Sequence, residues 1–260
     1  MARKDAGARS AFYDRYDYRK FWQKRTYEDL ADKNALQTFL KHQEGPKTKI
    51  LDVGAGYGRN ALVYASQYDS CTLLDPSQKN LDLAKVNLKN YSHISFVKGT
   101  AEKIPFAAKS FDTVVCVRVF HHLFDPEPAI TEFSRILKPG GELYLEVANK
   151  QHALALLKSL FNGTFNEILS PLPLERRSQA NIKDKSITFV NHNTLVIDHL
   201  LKDHGFQIKE VLSVSNFRSP LTRNKFLLPI FSLLEKLLQK PLSIVQFGPS
   251  IYFRAQRLVE

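Results

Sequence analysis

The chain has 260 residues, 43% of them apolar and 24% charged, and its formal net charge at pH 7 is +11. Its length suits one α/β domain with additional segments, and no uninterrupted apolar run is long enough to cross a bilayer. The N-terminal residues are basic but have no apolar segment, so we expect no secretory signal. Cys71 and Cys116 fall in predicted buried strands, which indicates apolar filling and a reducing, cytoplasmic setting. No Cys pair or His-x₃-His spacing offers metal ligands, so we expect no metal site.

Strand and helix patterns alternate from residue 18 onward. An apolar periodicity predicts a helix over 18–43, which Gly45-Pro46 ends. The predicted strands that follow are 49–53, 71–74, 93–97, 113–117 and 142–147, and the predicted helices between them are 59–67, 76–89 and 127–137. Such alternation predicts a parallel sheet with right-handed crossovers, and it places ligands at the carboxyl ends of the strands.

The second half of the chain departs from this regular alternation. We predict helices over 151–161 and 193–204 and a strand over 206–214. Residues 216–245 form an insertion whose centre is apolar on most sides, with lysines at its margins. It is either a helix packed on the domain or in a dimer interface, or a substrate lid or membrane-surface helix.

A glycine-rich turn follows the first predicted strand. Gly54, Gly56 and Gly58 alternate with other residues in Gly-Ala-Gly-Tyr-Gly, and Asp75 ends the second strand. Glycine permits positive φ and close backbone approach, and the next helix offers unpaired N–H groups. A carboxylate at Asp75 can accept both hydroxyls of a ribose. This arrangement predicts a site for a cofactor that contains adenosine.

The spacing distinguishes between such cofactors. A dinucleotide fingerprint is Gly-x-Gly-x-x-Gly, whereas this turn is Gly-x-Gly-x-Gly with Asp52 two residues ahead of it. A carboxylate there would repel a pyrophosphate and attract an ammonium or a sulfonium. The local charge therefore favours S-adenosylmethionine over NAD.

Several further blocks carry a family resemblance. Leu-Asp-Val-Gly-Ala-Gly-Tyr-Gly is followed by Ala-Glu-Lys-Ile-Pro-Phe, Ser-Phe-Asp, Phe-His-His and Leu-Lys-Pro-Gly-Gly. In this order they resemble the class I S-adenosylmethionine-dependent methyltransferases, in the branch of the ubiquinone and menaquinone biosynthesis enzymes (methyltransferase type 11). The resemblance covers roughly residues 48–150. It implies an α/β, Rossmann-like, doubly wound seven-stranded sheet of order 3-2-1-4-5-7-6, whose last strand, 250–256, is antiparallel.

The resemblance also implies cofactor contacts. The family usually has Asp before Ala-Glu, where it contacts the adenine amino group, but this chain has Thr100, so we expect adenine recognition to depend more on backbone groups. Arg118 either lines the methionine end of the cofactor or pairs with a carboxylate. The residues expected to bind the cofactor are Asp52, Gly54, Ala55, Gly56, Gly58, Asp75, Pro76, Thr100, Ala101, Glu102 and Arg118.

Candidates for acceptor chemistry are histidines and N-terminal aromatic residues. His122 is a base or acceptor contact, or else a structural histidine; His121 and His192 are candidate acceptor contacts. Tyr13, Tyr16 and Tyr18 belong to an aromatic cluster, with Phe21-Trp22, that either covers the cofactor pocket or packs as an ordinary helix.

The chain is expected to be one domain in three parts. Residues 1–45 form a basic, aromatic helical cap, 46–150 the cofactor-binding core, and 151–260 the remainder, with substrate-side insertions at 151–190 and 216–245. Residues 1–50 carry 12 Lys and Arg against 7 Asp and Glu, 51–174 carry 12 of each, and 175–260 carry 13 against 7. The excess positive charge therefore lies outside the core.

A basic substrate face favours an anionic metabolite, an anionic lipid surface or RNA, although a merely alkaline surface has the same composition. The leading hypothesis is a methyltransferase acting on a small-molecule or lipid-like, anionic acceptor, with peripheral membrane association as one option. The alternatives are an RNA methyltransferase, a silent cofactor-binding scaffold and, last, an NAD oxidoreductase. The oligomeric state stays open.

Overall fold

The computed structural model describes residues 18–183 and 187–259. Their strands are β1 Lys49–Val53, β2 Ser70–Asp75, β3 Ile94–Lys98, β4 Phe111–Cys116, β5 Leu137–Ala148, β6 Leu174–Glu175, β7 Val190–Asn191, β8 Phe206–Val214 and β9 Ser250–Arg257. Seven of these form one sheet in the order β3-β2-β1-β4-β5-β9-β8, while β6 and β7 form a separate two-residue ladder. Strands β1 to β5 pair in parallel, and β9 is antiparallel to both β5 and β8. Since β8 and β9 are the sixth and seventh strands of the main sheet, the predicted order 3-2-1-4-5-7-6 is confirmed.

The helices of the described residues surround this sheet. They are α1 Tyr18–Gln23, α2 Thr26–His42, α3 Ala61–Tyr64, α4 Gln78–Asn87, α5 Glu127–Ile136, α6 Ala153–Asn162, α7 Phe165–Leu169, α8 Gln179–Lys183, α9 Thr194–Asp203 and α10 Leu228–Leu238. The single helix predicted over 18–43 is wrong, because Arg25 has a non-helical backbone and closes a turn onto the Trp22 carbonyl. The predicted helix over 59–67 is shorter and ends in a 3₁₀ turn. Helix α4 begins later than predicted, at Gln78, because the Ser77 hydroxyl caps it by accepting the Asn80 N–H.

The central strands are buried on both faces. In β4, Val114 and Cys116 face one apolar cluster, and Val115 faces the other. The first cluster is covered by α5 and α9, and the second by α2, α3 and α4. Successive strand residues point to opposite faces, so a strand buried on both sides reads as a continuous apolar run. The carboxyl edge of this sheet is therefore a rigid platform for the loops that follow β1, β2 and β4.

Helix α10, at the centre of the insertion, is fixed to α2 by buried polar groups. The Glu235 carboxylate is buried and accepts hydrogen bonds from the Tyr27 hydroxyl at 2.6 Å and the Ser215 N–H at 2.7 Å. The Gln239 amide donates to the Ala31 carbonyl at 3.0 Å. One face of α10 is thus packed on the domain, while its opposite face exposes large apolar side chains.

Candidate active site

A cavity of about 580 Å³ opens at the carboxyl edge of the sheet. This volume lies within the range of roughly 300–1,000 Å³ that is usual for small-molecule and cofactor sites. Part of its wall comes from the loops after the parallel strands, namely Gly54, Ala55, Gly56, Tyr57, Asp75, Pro76, Gly99, Thr100, Ala101, Glu102, Val117, Arg118 and Val119. The rest comes mainly from α1 and the start of α2, from the turn after β4, and from segments of the second half of the chain.

The glycine turn has the backbone that its sequence predicts. Gly54 and Gly56 have φ of +72° and +56°, and the Gly54 N–H donates to the Leu74 carbonyl at 2.7 Å. A Cβ at Gly54 would lie 2.2 Å from a methyl of Val119, whereas a Cβ at Gly56 would meet nothing within 4 Å. Because Gly56 lines the cavity, this open space forms a cradle that a side chain would fill.

Gly58 is positioned differently from the prediction. It is not among the cavity-lining residues in the described part of the chain, and a Cβ there would lie 2.7 Å from Leu88. Its φ is +76°. Gly58 therefore allows the turn to pack closely against the region of α4, instead of lying at the cavity wall where its contact with the cofactor is predicted.

Asp75 is held between the glycine turn and the start of α4. Its side chain lines the cavity, although the residue is only 5% exposed. One carboxylate oxygen accepts the Gly56 N–H at 2.8 Å, and the other accepts the Ser77 N–H at 2.9 Å. These contacts fix the carboxylate at the wall where the sequence predicts a ribose.

Asp52 lies beneath the turn rather than at the cavity wall. Its carboxylate accepts the Tyr64 hydroxyl at 2.6 Å, and burial raises its pKa to about 7. Residue 52 is buried inside β1, two positions before the backbone turns at Gly54. Its predicted contact with a cofactor ammonium or sulfonium is therefore corrected to a structural bond with Tyr64.

Arg118 pairs with carboxylates, which is one of the two alternatives that the sequence leaves open, while its contact with the methionine end of the cofactor stays a prediction. It lines the cavity, and its guanidinium lies 2.7 Å from Asp32 and 3.2 Å from Glu146, both buried. Burial opposes its charge, but Asp32 and Glu146 outweigh burial and raise the pKa of Arg118 well above its ordinary value. Arg59 also contacts Asp32, at 3.0 Å. Arg118, Arg59, Asp32 and Glu146 thus form a network of ion pairs at the cavity wall.

The aromatic residues of α1 contribute to the cavity. Phe21 and Trp22 line it, and the Arg59 guanidinium lies 3.7 Å from the centre of the Trp22 ring. Such stacking of a guanidinium on an indole is favourable. Of the other predicted aromatic residues, Tyr13 and Tyr16 lie outside the described residues, and Tyr18 begins α1.

His121 and His122 lie on a 3₁₀ turn after β4 and both line the cavity. Their ring centres are 3.9 Å apart, and the His121 ring is 4.9 Å from that of Phe189. Burial, helped by the charges of His122 and Arg118, lowers the pKa of His121 well below its ordinary value. His122 Nδ1 is 2.8 Å from the carbonyl oxygen of Thr188. A carbonyl only accepts, so this nitrogen carries the hydrogen.

His192 is not brought to the cavity wall formed by the described residues. Its Nε2 donates to the Phe120 carbonyl at 3.0 Å, and burial lowers its pKa below the ordinary value. The predicted acceptor contact at His192 is therefore corrected to a support beneath the turn that carries His121 and His122.

Several cavity residues were missed by sequence reasoning. They come from distant segments and include Arg25, His152, Arg176, Phe189, Asn191 and Arg218. No local motif marks them, because only the tertiary fold brings them together. The excess positive charge of the flanks was the only signal that pointed to the arginines.

Comparison with known proteins agrees with this geometry. Residues 51–145 match the family model described as a methyltransferase domain. The chain is 30% identical over 165 residues to a ubiquinone biosynthesis O-methyltransferase of Dechloromonas aromatica, covering 56% of this chain and 69% of that one. It is 33% identical over 99 residues to the uncharacterized methyltransferase YcgJ of Bacillus subtilis, covering 37% of this chain and only 39% of that protein.

A solved structure shows the same fold. A SAM-dependent methyltransferase of Methanosarcina mazei superposes with a TM-score of 0.56 at 22% identity, covering 85% of this chain and 98% of that one. The chain belongs to the class I S-adenosylmethionine-dependent methyltransferases, in the branch of the ubiquinone and menaquinone biosynthesis enzymes. It is thus an enzyme that uses S-adenosylmethionine, as the resemblance implied.

Proposed function

We propose that this enzyme methylates a small-molecule or lipid-like acceptor that binds in the same cavity as the cofactor. One observation carries the proposal: the cavity that contains Gly56 and Asp75 continues to a wall of apolar and aromatic residues. That wall comprises Phe21, Trp22, Ile187 and Phe189, next to His121 and His122. Concave, mostly apolar sites with a few polar groups are typical of small ligands.

The cofactor contacts belong to this proposal. The open cradle at Gly56 and the fixed carboxylate of Asp75 fit an adenosine ribose, while Thr100, Ala101 and Glu102 line the wall where adenine would lie. When bound, S-adenosylmethionine supplies an electrophilic methyl group on a sulfonium sulfur. The chain's own residues then have to orient the acceptor and exclude water, which contributes roughly 7–11 kcal/mol at best.

His122 is the proposed base for an acceptor that arrives protonated. With its hydrogen on Nδ1, donated to Thr188, the neutral ring has its accepting lone pair on Nε2. This nitrogen could receive the proton of an acceptor hydroxyl as the new bond to carbon forms. The Dechloromonas aromatica relative is named as an O-methyltransferase of ubiquinone biosynthesis, which supports an oxygen nucleophile on a quinone-related ring here.

The acceptor class is tested by methyl transfer to cell fractions. Purified enzyme with S-adenosylmethionine labelled in its methyl group should label a component of the organic-extractable fraction and not the RNA. The physical reason is that an enclosed, largely apolar cavity favours a small apolar body over a polynucleotide, which needs an extended basic surface. Label in RNA that is lost steeply with added salt would contradict the proposal.

The variant His122→Gln tests the proposed base in the same assay. A glutamine cannot take up a proton, so turnover of a hydroxyl acceptor should fall by about 10²–10⁴-fold while cofactor binding is retained. Unchanged kcat, together with an unchanged dependence of kcat on pH, would leave His122 as a structural residue only.

A second proposal concerns where this enzyme meets a lipid-like acceptor: we propose peripheral binding to an anionic lipid surface, on the cytoplasmic side of a membrane. Helix α6 begins beside the cavity residue His152 and exposes apolar side chains. Helix α10 and the residues just before it do the same. These side chains are Leu154, Leu157, Leu160 and Phe161 on α6, and Phe226, Ile230, Leu233 and Leu237 in the second segment. Residues 241–248, which follow α10 in the chain, reach the start of α6, since the Phe247 carbonyl accepts the Ala153 N–H at 3.1 Å. Exposed basic residues border this surface: Lys158, Arg223, Lys225, Lys236 and Lys240. Within the described residues no helix combines the length and apolar character needed to cross a bilayer.

Binding to vesicles tests this surface. The wild-type protein should co-sediment with phosphatidylglycerol-containing vesicles more strongly than with phosphatidylcholine vesicles, because apolar insertion and charge attraction act together. Leu233→Ser combined with Leu237→Ser should weaken binding, while Leu62→Ser, an exposed leucine on α3, should not. Concentration-dependent dimers that these substitutions dissociate, without any vesicle binding, would identify the surface as a contact between copies instead.

A further inference from the structure

Three arginines from separate segments line the cavity. Arg25 lies between α1 and α2, Arg176 follows β6, and Arg218 follows β8. None of them belongs to the glycine turn or to the loop that carries Thr100. Their common location is therefore a product of the tertiary fold, next to the apolar wall described above.

The described residues compensate the charges of these arginines only in part. Arg25 and Arg218 each lie 3.3 Å from the same carboxylate oxygen, Oε1 of Glu28. The exposed side chain of Arg176 makes no hydrogen bond or ion pair with the described residues. By contrast, the other two arginines of the cavity wall are matched: Arg59 contacts Asp29 and Asp32, and Arg118 contacts Asp32 and Glu146.

The excess of positive charge contributes to lowered pKa values of two cavity residues, Arg218 and His152. Burial and the neighbouring charge of Arg25 lower the pKa of Arg218 below its ordinary value. Burial, followed by the charges of Arg176, Lys158 and Arg218, lowers the pKa of His152, another residue of the cavity wall. His152 accepts the Ala155 N–H at the start of α6, so its neutral form is also the one that caps the helix.

We infer that Arg25, Arg176 and Arg218 form a subsite for an oxyanion, a carboxylate or a phosphate group, on the methyl acceptor. The inference rests on the proposed function, because it assumes that the acceptor lies in this cavity. Guanidinium groups offer up to five N–H donors in a planar fork that matches such oxyanions. Among the described residues a single carboxylate, Glu28, pairs with this cluster, so guanidinium donors are left for a ligand.

The apolar wall beside the arginines defines the rest of the acceptor. Phe21 lies under Arg25, with the guanidinium carbon 4.3 Å from the ring centre. Ile187 and Phe189 belong to the same wall. An acceptor that satisfies both features has an apolar or aromatic body with an oxyanion attached to it.

Binding of simple probes tests the subsite. Trp22 is the only tryptophan of the chain and lines the cavity, so its fluorescence reports occupancy, and calorimetry provides the affinities. Protein saturated with S-adenosylhomocysteine is titrated with benzoate, phenyl phosphate and the neutral benzyl alcohol. At least one anion should bind about tenfold more tightly than benzyl alcohol, as expected for one charge-assisted contact. The stronger of the two anions identifies the oxyanion.

Substitutions test whether Arg176 and Arg218 cause the tighter binding of anions. Arg176→Gln and Arg218→Gln should each reduce anion affinity about three- to tenfold and leave benzyl alcohol binding unchanged. Arg223→Gln, an exposed arginine outside the cavity wall, removes the same charge and should reduce anion affinity less than Arg218→Gln does, because Arg223 acts on the site only at a distance. Thermal melting and S-adenosylhomocysteine affinity, expected to be unchanged, show that each variant is folded.

Two outcomes would overturn the subsite. One is equal or absent binding of both anions relative to benzyl alcohol; the other is a loss in Arg223→Gln as large as that in Arg218→Gln. In either case retained S-adenosylhomocysteine binding and retained labelling of an organic-extractable acceptor would leave the proposed function intact. Loss of that labelling in the wild-type protein would instead reject the proposed acceptor class.

Discussion

Asp75→Asn should weaken the binding of S-adenosylhomocysteine by about 100-fold. A carboxylate that accepts two ribose hydroxyls makes two hydrogen bonds to a charged group, each worth about 1.5–3 kcal/mol, and about 3 kcal/mol corresponds to roughly 100-fold in affinity. The Asp75 carboxylate is already fixed by the Gly56 and Ser77 N–H groups, so little ordering is required when the ligand binds. Calorimetric titration provides the dissociation constants.

Asp82→Asn is the matched control for this prediction. Asp82 lies on α4, just beyond the loop of Asp75, and its side chain is 58% exposed. The same change of charge there should alter cofactor affinity less than twofold, because exposed charges are screened by solvent. If Asp75→Asn bound the ligand as tightly as Asp82→Asn, the ribose would have to be held elsewhere.

Asp32→Asn should destabilise the fold by about 3–5 kcal/mol at neutral pH, the usual cost of removing one partner from a buried ion pair. Asp32 is fully buried and binds Arg118, Arg59 and the Tyr252 hydroxyl. Loss of the Asp32 charge would leave the guanidiniums of Arg59 and Arg118 without this carboxylate partner. Urea unfolding measures the change, with Asp198→Asn as the control, since its exposed pair with Lys202 contributes about 0.3–0.5 kcal/mol.

The same variant has a predictable pH dependence. Burial opposes the charged form of Asp32, but the guanidiniums of Arg118 and Arg59 outweigh burial and hold its pKa below the ordinary value. A carboxyl with a lowered pKa stabilises the fold above the unfolded value, about 3.9, and this contribution is lost as the pH falls through the folded pKa. The stability difference between wild type and Asp32→Asn should therefore be constant near neutrality and shrink below about pH 4. A difference that persisted unchanged in acid would argue against a charged Asp32.

The elements that depend on local rules were predictable. Apolar strands buried on both faces, alternating with helices, predicted the sheet, and the three glycines predicted the turn because positive φ is a local property. Asp75 was predictable as well, since the end of the second strand must lie beside that turn. Helix boundaries were less predictable. The break at Arg25 follows from a turn in which the Arg25 N–H bonds to the Trp22 carbonyl, and the apolar periodicity continues through this turn without marking it.

The errors share one physical cause. Asp52 and Gly58 belong to the glycine motif, yet Asp52 bonds to Tyr64 and Gly58 packs near Leu88, because neighbouring residues of a strand and turn face different surroundings. His192 is likewise directed to the Phe120 carbonyl. The motif defined the residues of the site, but the direction of each side chain depended on what the fold placed around it.

The sequence by itself determined the class of the enzyme and its cofactor, because these depend on short motifs that are local in the chain. The strand order followed from the family resemblance that those motifs carry. Only the tertiary structure decided which residues face the acceptor. Arg25, Arg176 and Arg218 are separated by up to 193 positions, and their juxtaposition results from packing of α1, the β6–β7 ladder and the loop after β8 around one sheet edge. A positive field at one point in space has no counterpart in any local pattern, since it arises from charges that only the folded chain brings together.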